Sequence, residues 1–522
     1  MKKIICLSLL ASSFLFSAYV SKLNFGQREW DVQASDFSKK YRSGGLNIGT
    51  KVVASNLNVA WSISWGPDNW IWYTEQSGTV SKVNPETGEK KMLLKLPQVY
   101  RFRSLGLLGM AIHPDKKLPY VFLDYTVKEG TSISSMLVRY TYQTDTLVDP
   151  VVLLKDIPGA TGHNGSRVII APDGKLMMTT GDATKRNNAQ DPASINGKIL
   201  RINIDGSIPV DNPWPGSAVW SIGHRNAQGL VFDNKGNLFS SEHGDAIDDE
   251  LNLIKRGGNY GWPFVEGLCD TEKEKEFCKT NHVIEPLKAW TPVIAPAAIA
   301  YYDSPAIPEW RNSVLLVTLK TQSLRILKLN DLRNAVISEK VHLDHEYGRL
   351  RGVCVSPAGD IYVSTSNRDW NPSEGYPKKE DDRIIKIFKS STPKIVVATK
   401  NKVNQPVKVK PKALAHPGAA IYNNYCASCH KSDAKGLAGL FPPLRGTPRV
   451  LGSSNNLLSA ILKGVSGPIT VKGQKYNSEM PAFNFLKDKE VAALASYIRS
   501  NFGNTATVVT EKDVANVRKA IK

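Results

Sequence analysis

One short phrase recurs through the first three quarters of the chain: a turn built on Pro-Asp, Lys-Gly-Asn or Pro-Ala-Gly, followed by apolar residues alternating with Ser, Thr or Tyr. It appears as Pro67-Asp68-Asn69 before Trp70-Ile71-Trp72-Tyr73-Thr74, as Pro114-Asp115 before Tyr120-Val121-Phe122, and as Pro172-Asp173-Gly174 before Leu176-Met177-Met178-Thr179. It returns as Lys235-Gly236-Asn237 before Leu238-Phe239-Ser240-Ser241 and as Pro357-Ala358-Gly359 before Ile361-Tyr362-Val363-Ser364, with Glu309-Trp310-Arg311-Asn312 before Val314-Leu315-Leu316 filling the one wide gap. Period-two alternation behind a turn signal is a half-buried strand. A unit of about 45 to 60 residues holding several such strands is the signature of a β-propeller, whose blades close radially and leave only short edges exposed. Six copies predict six blades. A β-sandwich is the alternative, but it does not require so even a spacing.

The rest of the chain divides around this region. Of 522 residues, 41% are apolar and 22% charged, which excludes wholesale disorder, collagen and coiled coil. Residues 1–21 hold an apolar run behind Met1-Lys2-Lys3 and read as a secretory signal peptide, or, since no clean small-x-small cleavage site precedes Lys22, as an uncleaved N-terminal anchor associated with a membrane. The expected location is periplasmic or secreted. The formal charge of +19 suggests an anionic partner, and export argues against nucleic acid. Part of the excess lies in residues 392–415, a Lys-, Val- and Pro-rich stretch without acidic residues from 392 to 412 that reads as a solvated linker. The propeller is expected over 45–391, a small helical domain over 416–503, and a tail without readable signal over 504–522. Helices are expected at 417–425 and 488–502, the second with Asp488 as N-cap.

Cysteine usage fits an oxidising compartment. Cys269 and Cys278 read as a loop disulfide, with metal binding the weaker alternative, and Cys354 as a buried free thiol. Cys426-Ala427-Ser428-Cys429-His430 is a C-x-x-C-H run: two thiols one helical turn apart can add to the two vinyl groups of a haem, and the adjacent His then faces the iron. A redox C-x-x-C with an accidental His is the alternative. Met480, before Pro481 and the last helix, is the thioether placed to be the sixth ligand. From about residue 416 to 502 the chain resembles class I cytochromes c, which implies thioether bonds at Cys426 and Cys429 and axial ligation by His430 and Met480. A haem so ligated passes single electrons and has no open position for substrate.

Four polar segments interrupt the propeller strands: residues 162–165 with His163; 223–230 with Arg225, Asn226 and Gln228; 241–263 with Gly244, Asp245, Glu250 and Tyr260; and Lys320 with Arg349 and Arg351, the last two sharing one strand face. Cations beside hard oxygen ligands suggest an anionic, oxygen-rich cofactor with Ca²⁺. At GHRNAQGL (223–230), DDELNLIKRGGNYGWP (248–263) and RLRG (349–352) the chain resembles the glucose/sorbosone dehydrogenase family, six-bladed quinoproteins that bind pyrroloquinoline quinone (PQQ) and calcium. That resemblance implies His163 as general base and Arg225 on the hydride-accepting carbonyl. It implies Asn226, Gln228, Lys320, Arg349 and Arg351 as cofactor contacts, Gly244 and Asp245 as carbonyl ligands of the cofactor calcium, and Glu250 and Tyr260 at a structural calcium. Gly162 stands where glucose-oxidising relatives have Asp, and Trp290-Thr291-Pro292-Val293 departs from their aromatic pattern, so glucose itself is not implied. The expected protein is a quinohaemoprotein that oxidises an aldose or related alcohol and passes electrons through haem c to an external acceptor. A non-catalytic extracellular recognition propeller is the alternative, against which the retained His163 and cations argue. A calcium-dependent lactonase would leave the haem unexplained.

Overall fold

The structure, a computed structural model, describes residues 48–390 and 416–521. The signal or anchor segment (1–21) and the basic linker (392–415) lie outside the described residues.

Six four-stranded antiparallel sheets make up the first region, each formed by strands that meander outward from a first strand packed against its neighbours' first strands. The recurring phrase marks the second strand of every blade: Ile71–Glu75, Tyr120–Glu129, Leu176–Thr180, Leu238–Glu242, Ser313–Thr318 and Ile361–Thr365. These strands are buried on both faces for most of their length, the fate of a sheet sandwiched between two others. The sixth blade takes its outermost strand from the start of the propeller, Ile48–Ala54, which pairs with Ile384–Lys389 in the register Ile48 to Lys389.

The polar residue near the end of the phrase has a purpose that alternation alone does not reveal. Thr74 Oγ1 donates to Leu108 O (2.8 Å), Thr179 Oγ1 to Ala227 O (2.9 Å), Ser241 Oγ to Ala297 O (2.6 Å) and Ser364 Oγ to Ala60 O (2.7 Å). Each hydroxyl thus bonds its blade to the first strand of the next, satisfying a buried carbonyl that radial packing leaves without a sheet partner. In the second blade the matching position is Asp124, opposite Leu137 and next to Tyr125, which pairs with Leu107. Asp124 is fully buried beside Ser166 of the third blade, and its carboxyl makes no bond to a carbonyl of the next blade's first strand. Burial pushes its carboxyl up to about 7.

Residues 416–521 form a helical domain around Tyr422, Val450, Leu458, Ile461, Val491, Leu494 and Ile498. Helix Pro417–Tyr425 crosses Asp488–Ser500 at Gly418, where a Cβ would lie 2.1 Å from Ala493 O. The second helix is capped one residue earlier than expected: Lys487 is the N-cap, its backbone N–H bonding Glu490 (2.8 Å), because Asp488 instead pairs with Arg518 (2.9 Å). After Gly503 the chain forms helix Glu511–Ala520, whose Val514 and Val517 join the domain core. Among the described residues no helix is long and apolar enough to cross a membrane.

Candidate active site

The site is built where first strands and the loops between blades meet. His163 lies on a turn with φ 54°, and its Nδ1 is 2.9 Å from Asp182 Oδ1. Asp182, which sequence reasoning missed, is itself fully buried and accepts from Thr184 N (2.8 Å) and Trp262 Nε1 (2.9 Å). With Nδ1–H donated to a carboxylate, Nε2 is the basic nitrogen. Burial, and then the nearby Arg225 charge, lowers the imidazole's proton affinity, so the ring is neutral at neutral pH. Close approach fixes this geometry: a Cβ on Gly181 would lie 2.0 Å from His163 O.

The backbone of Arg225 is held by one buried carboxylate and its guanidinium by a second carboxylate. Glu242 accepts from the backbone N–H of Arg225 and of Asn226 (3.0 Å to the latter) and from His224 Nδ1 (2.9 Å), pinning the turn. The guanidinium of Arg225 lies over Trp262, 5.3 Å from the ring centre, and donates to Asp245 Oδ1 (2.8 Å); Arg186 donates to the other oxygen of Asp245 and stacks on the same ring at 4.9 Å. Asn226 Oδ1 accepts from Gly165 N (3.1 Å) and Gln228 Nε2 (3.1 Å), so both amides tie their blade to the turn that carries His163.

Arg349 and Arg351 share Asp369, at 3.3 and 2.6 Å, and expose only 12% and 7% of their side chains. Against its burial, the two guanidiniums hold the Asp369 carboxyl below the usual range. Arg167, also missed, lies between blades, stacked 4.3 Å from Trp61 and donating to Gln228 O (3.0 Å) and Ser62 Oγ (3.2 Å). Burial and then Arg351 push it down to about 9. Lys320 donates to Asn424 O of the helical domain (2.6 Å). The Nε–H groups of Arg225 and Arg349 are buried without acceptors. Two orphaned guanidinium donors within this group of cations fit a polyanionic, carbonyl-bearing group.

Gly244 and Asp245 lie on the turn after Leu238–Glu242; Gly244 N donates to Asp249 Oδ1 (2.9 Å), whose carboxyl burial pushes up to about 6. The carbonyls of this turn are hard oxygen donors suited to Ca²⁺. Glu250 stands directly opposite Glu242 in the sheet, and burial followed by Glu242's charge raises its carboxyl well above the ordinary value. Its oxygens accept from Gly267 N (3.0 Å) and Asn252 Nδ2 (2.8 Å), while the neighbouring Asn252 Oδ1 is orphaned. Facing carboxylates beside a spare carbonyl oxygen fit a cation there. The Tyr260 hydroxyl is engaged instead with Lys255 N and Leu253 O, both 2.8 Å, leaving only its backbone as a donor to such an ion.

Away from the site, Cys269 and Cys278 form a disulfide and Cys354 is a buried thiol pushed up to about 12 by burial. In the helical domain Cys426 and Cys429 are free thiols, the first capping helix Ala427–His430 and the second within it. His430 Nδ1 donates to Pro442 O (2.9 Å), which leaves Nε2 for a metal. Met480, bridged antiparallel to Val465 by two 2.9 Å backbone bonds, packs against the same apolar cluster as Cys426. Two thiols, an oriented imidazole and a thioether in an apolar setting fit a covalent haem.

Residues 57–371 match the family model for glucose/sorbosone dehydrogenase, and residues 415–502 that for cytochrome c. The chain is 32% identical over 435 residues to quinoprotein glucose dehydrogenase B of Acinetobacter calcoaceticus, spanning 66% of this chain and 89% of that protein. Cytochrome c-552 of Thermus thermophilus is 41% identical over 95 residues, 17% of this chain and 72% of the relative. The solved PQQ-bound aldose sugar dehydrogenase of Streptomyces coelicolor superposes with a TM-score of 0.57 at 34% identity, covering 66% of this chain and 98% of that one. By fold, by family match and by these relatives, the chain is an oxidoreductase of the glucose/sorbosone dehydrogenase family with a cytochrome c domain at its C-terminal end.

Proposed function

We propose that the protein is an exported quinohaemoprotein that oxidises an aldose or a related alcohol with PQQ and passes the electrons through a covalent haem c to an external one-electron acceptor. The observation that carries this reading is the juxtaposition of a neutral, carboxylate-oriented imidazole, His163 on Asp182, with Arg225, whose Nε–H is buried and unpartnered. Arg225, Lys320, Arg349 and Arg351 would hold the cofactor's carboxylates and carbonyls, with Asn226 and Gln228 fixing the turn between them. The carbonyls of Gly244 and Asp245 would hold its calcium, and Glu250 a second, structural one. When bound, PQQ supplies a two-electron oxidant that accepts hydride from the substrate carbon. His163 Nε2 takes the proton of the hydroxyl on that carbon, and Asp182 stabilises the imidazolium that results. Arg225 places positive charge where negative charge develops, in a setting from which much water is excluded. Gly162, with no side chain to grip a sugar hydroxyl, supports a tolerant pocket rather than one built for glucose.

The test is to purify the haem-containing protein without quinone, add PQQ and Ca²⁺, and follow haem absorption over a panel of aldoses. Haem reduction that requires quinone, calcium and sugar and disappears in His163→Ala is expected. Silence of both haem and an artificial dye across the panel would move the reading to a recognition module.

A further inference from the structure

The haem-attachment turn sits on the propeller, and its contacts lie on both sides of C-x-x-C-H. Asn371 Nδ2 donates to Ser428 O (3.3 Å), Lys431 Nζ donates to Asn371 Oδ1 (2.5 Å) and Pro372 O (3.4 Å), and Ser432 Oγ donates to Glu374 (2.5 Å). Trp370 packs against Phe441 with ring centres 5.8 Å apart. On the opposite flank Lys320 caps the carbonyl of Asn424 near the end of helix Pro417–Tyr425, Arg186 pairs with Glu479 (3.3 Å), and Ala246 belongs to the helical domain's own apolar cluster. The propeller residues in these contacts adjoin the site directly. Trp370 follows Asp369, the carboxylate shared by Arg349 and Arg351; Arg186 shares Asp245 with Arg225; and Lys320 is itself one of the site cations.

We propose that residues 370–374 form a docking pad that holds the haem-attachment turn, residues 426–432, beside the propeller's cation cluster, so that electrons would leave the site by way of that turn within one chain. This rests on the quinohaemoprotein reading and adds the route. The balance is simple: substrate oxidation leaves two electrons on the propeller cofactor, each transfer across the pad reduces one ferric haem to ferrous, and the external one-electron acceptor reoxidises the haem between the two. Two protons go to solvent. The pad is small and mostly polar, with Trp370 on Phe441 as its one aromatic contact, as suits a surface that orients donor and acceptor.

The experiment uses the full-length, haem-loaded protein with PQQ and Ca²⁺, comparing wild type with Lys431→Glu, Lys431→Arg and the double variant Asn371→Ala/Glu374→Lys. None of these residues belongs to the propeller site or ligates haem. Stopped-flow haem reduction after sugar addition is expected to fall by at least about tenfold in Lys431→Glu and in the double variant, the scale of losing charge-assisted hydrogen bonds, and to stay near wild type in Lys431→Arg. Reduction of a small dye by the propeller, and the haem spectrum, should not change. Hydrogen exchange should rise in 370–376 and 426–432 together, in the slow variants alone. Unchanged internal transfer in both disruptive variants, or exchange that rises in only one of the two segments, overturns the pad. Absence of dye reduction in wild type would instead count against the enzymatic reading, and coupled exchange of the two segments would still report docking.

Discussion

Asp124 offers a sharp test of what a buried acid costs the seam between two blades. Four other blades use a hydroxyl at this position to donate to the next blade, whereas Asp124 buries a carboxyl there that makes no such bond. Its carboxyl, pushed up to about 7 by burial, is protonated in the folded protein near pH 5 and ionised near pH 8. In the unfolded chain the same group ionises near its ordinary value of 3.8. The folded state therefore binds the extra proton between those values, and stability falls as pH rises through that window and levels off above it. Each pH unit in the window corresponds to 1.36 kcal/mol, so ionisation costs the fold about 1.5 kcal/mol at pH 5 and about 4 kcal/mol at pH 8. Asp124→Asn removes the titration while keeping the size of the side chain. Urea unfolding followed by far-UV circular dichroism, with the Soret band reporting the haem domain separately, should show the variant gaining about 2.5 kcal/mol on wild type between pH 5 and pH 8. A gap that stays constant over that range would refute the assignment of Asp124 as a buried acid protonated in the folded protein.

Three further outcomes follow from the site. Asp182→Asn should lower kcat by roughly 10²–10⁴ while leaving quinone affinity intact, and should shift any acidic limb of the kcat profile to lower pH, because the carboxylate that supports the His163 imidazolium is gone. Gly181→Ala should abolish sugar-dependent dye reduction, since the added methyl meets His163 O at 2.0 Å; activity within threefold of wild type would show that the turn tolerates displacement. Arg351→Met should lower propeller stability by about 3–5 kcal/mol in chemical denaturation, because it strips the nearer guanidinium from the buried Asp369 carboxylate.

What the sequence reveals and what it hides divide along locality. The second strands are readable because a turn, period-two alternation and a buried hydroxyl all fall within about ten residues of one another. The motif C-x-x-C-H is readable because its chemistry is confined to one helical turn. Asp182 and Glu242 are not: each is an acidic residue at or just past a strand end like many others, and only the pairing of first and second strands within a blade brings them to His163 and to the Arg225 turn. Arg167 is equally mute in sequence, since a cation in a strand pattern reads as a solvent-facing residue until radial packing buries it against Trp61. The last helix, by contrast, had a usable signal. Thr510 and Asp513 form a reciprocal cap ahead of Val514 and Val517, a pattern short enough to be overlooked in a lysine-rich tail. The contact between haem turn and pad has no local signature at all, because its halves come from two domains separated in sequence by the linker.

The strand Ile48–Ala54 that completes the sixth blade sets the timetable of biogenesis. It is the first propeller strand to be synthesised and its partner, Ile384–Lys389, is the last, so the ring stays open, with an unpaired edge at each end, until nearly the whole propeller exists. A nascent chain carries those edges through synthesis, and the haem-attachment cysteines emerge only after sealing becomes possible. Haem ligation thus falls naturally behind closure of the catalytic domain, and a message cut short before Ile384 yields a chain with a permanently exposed strand edge, prone to pair with its neighbours rather than to fold.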